Sequence, residues 1–226
     1  MTRHAPRLVR ISLTLLLLAA SGGSARAQAT LKIFFAESPA LLIRIDGEPV
    51  YQRVDGTDLE RIVNTKALIV RDGANIHYLK VLDGWMEAYG LMGEWSVSGV
   101  TPFGEKTATE RAIEATTVDL LDGGGSSKAG SRFLDDDPPA ILISSEPAAL
   151  IVTDGPPRYE TVEGTALAYL ENTRTKVFKE PTDREFYVLV AGRWYRSWTT
   201  DGPWEVVPGD QLPADIAKEI GLNRPQ

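Results

Sequence analysis

No cysteine occurs among the 226 residues, histidine occurs twice and methionine three times. The missing thiols exclude a disulfide scaffold and thiolate chemistry, so stability must come from apolar burial. One histidine, His4, falls in the N-terminal leader described below. His77 is then the only imidazole left; a multi-histidine zinc site is excluded, and a Ser-His-Asp arrangement would have to use that one residue. Basic residues are scarce as well, 24 against 31 acidic ones. Four of the basic residues and none of the acids lie in positions 1–27, so the rest of the chain holds 20 against 31, a net charge of −11. Such a surface repels nucleic acid and anionic lipid.

Long apolar runs are limited to one, ISLTLLLLAA at 11–20, preceded by Arg3, Arg7 and Arg10 and followed by Ala25-Arg26-Ala27. About ten apolar residues are too few to span a bilayer, which needs roughly 20, and the A-x-A ending is a cleavage pattern. Residues 1–27 are therefore expected to be a secretory signal peptide. The mature chain is expected in the periplasm or outside the cell, with no integral membrane span once the leader is cut.

What the chain does have is an internal repeat. At an offset of 108, Pro39, Ile43, Asp46-Gly47, Pro49, Tyr51, Gly56-Thr57, Leu59 and Asn64-Thr65 return as Pro147, Ile151, Asp154-Gly155, Pro157, Tyr159, Gly164-Thr165, Leu167 and Asn172-Thr173. After a one-residue insertion the offset becomes 109. Tyr78, Val81, Trp85, Gly93, Trp95 and Val97 then match Tyr187, Val190, Trp194, Gly202, Trp204 and Val206. The repeating stretches are short β-branched and aromatic runs broken by Gly, Asp and Pro, the pattern of antiparallel strands. Helical spacing follows each set, over 105 to about 121 and over 213–220, the second with Pro213 at a first-turn position and Gly221 as a stop. DGGGSSKAGS and the acidic run ending at Asp137 separate the copies. The expected organisation is a signal peptide at 1–27, unit one at 28–121, a flexible acidic linker at 122–137 and unit two at 138–226. The fold class is α+β: two related small antiparallel sheets, each followed by a short helix.

Period-two reading places Phe186, Val188 and Val190 on one buried face, matched by His77, Leu79 and Val81. On the next strand Trp194, Arg196 and Trp198 share a face, as do Trp85, Glu87 and Tyr89, with Tyr195 and Ser197 turned the other way. An aromatic platform with an arginine beside it can stack on sugar rings and hydrogen-bond their hydroxyls; buried tryptophans can equally hold a small meander together. The candidate ligand-binding residues are Trp194, Tyr195, Arg196, Trp198, Trp204, Trp85 and Tyr89. Asp46 and Asp154 precede glycine in turns and read as turn residues. Asp135-Asp136-Asp137 lacks the spaced ligands of a calcium loop, and GGGSS lacks the lysine of a phosphate loop, so no metal and no cofactor is expected.

The string PAALIVTDGPPRY at 147–159, with Asn172-Thr173, YVLVAGRWYRS, Gly202-Pro203-Trp204 and LPADIA, resembles a largely uncharacterised group of exported bacterial repeat proteins. Some of these are labelled carbohydrate-binding of the family V/XII type. The resemblance covers nearly all of the second copy and, faintly, the first. The first copy departs from it at Gly84, Met86 and Glu94. It implies a binding role for Trp194, Tyr195 and Trp204.

The resulting expectation is a non-catalytic exported binding or interaction module, with a polysaccharide or an envelope protein as partner. The alternatives are a glycan hydrolase using paired carboxylates, whose two acids would have to lie about 5 to 10 Å apart, and a passive envelope scaffold.

Overall fold

The computed structural model describes residues 31–82, 84–115, 118–121, 137–182 and 184–221. The expected signal peptide, at 1–27, and, apart from Asp137, the expected linker, at 122–137, lie outside the described residues.

Two strands open the first repeat, β1 (Lys32–Ala36) and β2 (Ala40–Arg44). A six-stranded antiparallel meander follows: β3 (Tyr51–Arg53), β4 (Glu60–Ile62), β5 (Ile69–Arg71), β6 (His77–Val81), β7 (Gly84–Ala88) and β8 (Ser96–Val97). Helix α1 (Glu105–Glu114) closes it. The second repeat runs the same course through β9 (Ala140–Ser144) and β10 (Ala148–Val152). Its meander is β11 (Tyr159–Thr161), β12 (Ala168–Leu170), β13 (Val177–Glu180), β14 (Glu185–Val190), β15 (Arg193–Ser197) and β16 (Glu205–Val207), before α2 (Ala214–Glu219). The β-rich α+β class with short helices is as the sequence leads one to expect. Helix α1 stops seven residues short of the expected end, because the chain is drawn onto the meander: Asp119 forms a parallel bridge with Ala67, and its N–H donates to the Lys66 carbonyl at 2.6 Å.

The two opening strands of a repeat do not pair with each other. β1 pairs in parallel with β10, and β2 pairs in parallel with β9. The registers are equivalent under the offset of 108: Lys32 faces Ala148, and Ala140 faces Ala40. The chain thus makes a reciprocal exchange, each two-stranded ribbon taking one strand from each repeat.

Each ribbon covers one face of one meander. Ile43 from β2 and Ile143 from β9 join Ile62, Ile69, Leu79 and Met86 of the first meander. Ile33 from β1 and Ile151 from β10 join Leu170, Val177, Val188, Tyr195 and Trp204 of the second. The opposite faces are covered by the helices: Ala108 and Ala112 of α1 lie on Val70, Tyr78 and Trp85, and Ile216 of α2 lies in the cluster of Phe178, Tyr187 and Trp194. Both faces of both meanders are therefore core. That corrects the one-sided reading of β6 and β14: Tyr78 and Tyr187 are buried along with Leu79 and Val188, while Phe186 and Val190, expected on the buried face, are half-buried.

The repeated polar residues are local clamps. The Asn64 side-chain amide donates to the carbonyls of Asp46 and Glu48, both at 2.8 Å, and its Oδ1 accepts from Val50 N–H at 2.9 Å. Asn172 makes the equivalent three bonds to Asp154, Pro156 and Arg158. One side chain thereby satisfies three backbone groups of a turn, which is why asparagine returns at that offset. Gly47 and Gly155 supply the left-handed backbone of that turn, at φ 77° and 74°. Thr65 and Thr173 then tie the turn back to the ribbon, donating to the carbonyls of Arg44 and Val152.

Candidate functional site

The seven residues marked by sequence separate into two environments. Trp85, Trp194, Tyr195 and Trp204 are each 7% exposed or less. Trp85 and Trp194 pack toward the helices, whereas Tyr195 and Trp204 pack toward the ribbon. Trp204 stacks against Phe35 of the first repeat with ring centres 6.1 Å apart. Arg196, Trp198 and Tyr89 reach solvent.

The structure does not assemble Trp194, Arg196 and Trp198 into one flat platform. β15 ends at Ser197, so the period-two alternation that would align Trp198 with Trp194 stops one residue early. Arg196 is held between acids, its Nη1 3.9 Å from Glu185 and its Nη2 3.5 Å from Glu205. Glu185 is itself buried and accepts a hydrogen bond from the Tyr187 hydroxyl at 2.7 Å. Burial, together with that carboxylate, holds the Tyr187 phenol far above the usual tyrosine range, so it serves as a neutral donor.

What remains at the surface is duplicated. Trp198 is 66% exposed and Tyr89 is 85% exposed, at positions that correspond at the offset of 109. Each stands immediately before the same tight turn: Gly202 N–H donates to the Thr199 carbonyl at 3.2 Å, and Gly93 N–H to the Gly90 carbonyl at 2.8 Å. In the first unit the segment continues through Met92, Val100 and Phe103, all more than 60% exposed. Sequence reasoning passed over these three. The signal available was apolar side chains outside the strand and helix periods.

A second polar group lies in the first unit alone. His77 is buried, with Nε2 2.8 Å from the Tyr51 hydroxyl. The Arg71 guanidinium lies 3.7 Å from the centre of the Tyr51 ring and pairs with Glu60. The second unit has Tyr159, Lys179 and Phe186 at these places, with Tyr159 and Phe186 rings 6.4 Å apart. Burial, and next the charge of Arg71, hold the His77 imidazole below its ordinary pKa, partly opposed by the Asn75 backbone and Asp72. The folded state therefore disfavours the proton. This contribution to stability is fully present above the unfolded value near 6.5 and is lost as pH falls from there toward the lowered folded value. Urea unfolding is expected to show stability falling with pH across that window and His77→Phe, the residue of the other copy, flattening the fall. An unchanged pH slope in the variant would assign the effect elsewhere.

Among the described residues no group of three or more His, Asp or Glu side chains is arranged to hold a metal ion, and no helix is long and apolar enough to cross a membrane. Comparison of the chain with protein-family models, with curated proteins and with solved structures found no match.

Proposed function

We propose that the protein is a non-catalytic, exported binding module whose two units each present one aromatic side chain, Tyr89 or Trp198, to a repeating partner of the cell envelope, a polysaccharide first. The observation that carries this reading is the sorting of the recurring aromatics. Trp85, Trp194 and Trp204 are in the core, while the pair that corresponds just before each turn is in solvent in both copies. An exposed large aromatic has no packing role, and a flat ring offers a stacking surface to a sugar at small entropic cost. A repeating polymer that reaches both rings gains from the high effective concentration of the second contact.

The exported setting rests on the leader, and the sugar preference on the resemblance and on the exposed rings. Tryptophan emission is to be followed during titration with cell-wall and storage polysaccharides, using the parent, Trp198→Ala, Tyr89→Ala and the double variant. Each single change is expected to weaken binding about tenfold with no loss of stability, and the double change to weaken it further. Equal capture by the double variant would refute the reading. If no polysaccharide responds but crosslinking recovers a protein through Trp198, the module holds and its partner is the protein. The burial of Trp85, Trp194, Tyr195 and Trp204 favours a second reading, a passive scaffold, for which all four proteins behave alike.

A further inference from the structure

The two halves are packed differently where the turn after β7 or β15 meets its ribbon. In the second half Trp204 is 2% exposed, and Phe35 of β1 stacks on it with ring centres 6.1 Å apart. The counterpart of Phe35 at the offset of 108 is Ile143 of β9, and the counterpart of Trp204 at the offset of 109 is Trp95. Trp95 packs against the core cluster that holds Ile143, but an isoleucine offers no flat face, and among the described residues no ring stacks on Trp95. Trp95 is only half-buried, and a groove of about 490 Å³ opens beside it, walled by Leu91, Met92, Phe34 and Ile141.

The turn that borders this groove differs in the same sense. Leu91 and Met92 stand where the second unit has Thr200 and Asp201, and Met92 is 62% exposed. The apolar turn thus belongs to the half whose indole lacks an aromatic cover, and the polar turn to the half where Phe35 supplies one. Two polar groups of the groove wall are already engaged. The Trp95 indole N–H donates to the Leu91 carbonyl at 3.3 Å, and the buried Ser144 hydroxyl donates to the Glu146 carbonyl at 3.0 Å. A sugar seated against Trp95 finds neither group available, whereas a hydrocarbon ring needs none. An apolar cavity of about 150 Å³ holds benzene, so the groove has room for a phenyl ring and for part of the chain that carries it.

From this asymmetry we infer that the groove beside Trp95 is a docking site for an aromatic side chain, phenylalanine above all, of a partner protein. The incoming ring takes in the first half the seat that Phe35 takes in the second. Offset or edge-on contact with the indole is the favoured geometry for such a pair, and the unbranched, polarisable Met92 adapts to the edge of a ring. Lys32 and Glu146, both exposed and of opposite sign, suit the polar backbone on either side of the inserted residue. Tyr89 and Trp198 do not line the groove, so the inference stands apart from the polysaccharide reading.

The test uses the full mature chain and a short fluorescent Gly/Ser peptide with one central phenylalanine, alongside versions with leucine or alanine in its place. Anisotropy is expected to show binding of the phenylalanine peptide, weaker binding of the leucine one, and a loss of about tenfold or more with alanine. Ile143→Phe supplies the sister residue from within the chain and is expected to abolish binding. Met92→Asp, the residue of the other copy at an exposed position, leaves the core untouched and is expected to weaken binding about tenfold. The Trp95 indole N–H signal in nitrogen-edited NMR spectra is expected to move on adding the phenylalanine peptide. Tyr89→Ala with Trp198→Ala is expected to leave peptide affinity unchanged, which separates this result from that of the exposed rings. Equal binding of the alanine peptide, an unmoved Trp95 signal, or full binding by Met92→Asp would overturn the inference. So would displacement of the peptide by a polysaccharide, which gives the groove to a sugar. Binding that appears only after Phe103→Ala or Phe133→Ala would overturn it too, since a phenylalanine of this chain or of a second copy would then hold the seat.

Discussion

A chain that begins after Ala36 is expected to lose the second unit and keep the first. By position β1 belongs to the first repeat, but Ile33 and Phe35 pack with Ile151, Val188, Tyr195 and Trp204 of the second. Removing the strand uncovers that face of the meander and leaves β10 without the strand it pairs with, across a register of Lys32 to Ala36 against Ala148 to Val152. Burying an isoleucine or phenylalanine side chain is worth about 1.5–3 kcal/mol each. The lost ladder and the opened core add to that, against a whole-domain margin of about 5–15 kcal/mol. The first meander keeps both of its ribbon strands, β2 and β9, in the shortened chain. Residue-resolved hydrogen exchange should therefore show fast exchange in β13, β14 and β15 alongside protection in β5, β6 and β7. Protection of both meanders, or loss of both, would contradict the exchanged arrangement.

Trp204→Ala is expected to be the most damaging single aromatic substitution, at about 3–5 kcal/mol by the usual cost of emptying a buried indole site. The side chain is 2% exposed, touches the ribbon-side cluster and stacks on Phe35, so its removal opens a space at the seam between the two repeats. Trp198→Ala, at an exposed position after the end of β15, is expected to change stability by less than about 0.5 kcal/mol. Urea denaturation followed by far-ultraviolet circular dichroism distinguishes the two without relying on the fluorophores removed. A Trp204→Ala protein within about 1 kcal/mol of the parent would mean that the seam closes over the loss.

The repeat, the meanders and their turns were legible because each is local. Asn64 and Asn172 bond groups within 18 residues of themselves, so the same residues at the same spacing give the same turn. The strand exchange was not legible. LKIFF and AILIS carry one apolar pattern, and nothing in it distinguishes pairing with the strand of the same copy from pairing with its counterpart. Nor can alternation tell a sheet covered on one side from a sheet covered on both. Tyr78 and Tyr187 carry hydroxyls that read as solvent-facing, yet each is buried and donates to an acid, Asp72 or Glu185. For the candidate site, the aromatic residue types were visible in the sequence, but which of them reach solvent depends on where a strand ends, and Ser197 is that boundary.

A lone repeat of this design would have an incomplete ribbon, and the simplest molecule able to complete it is a second identical chain turned about a twofold axis. The present protein has the form of such a homodimer written into one polypeptide. Fusion frees the halves from having to stay alike: histidine can stand where its sister position keeps phenylalanine, and arginine where its sister position has valine, without either change being imposed twice.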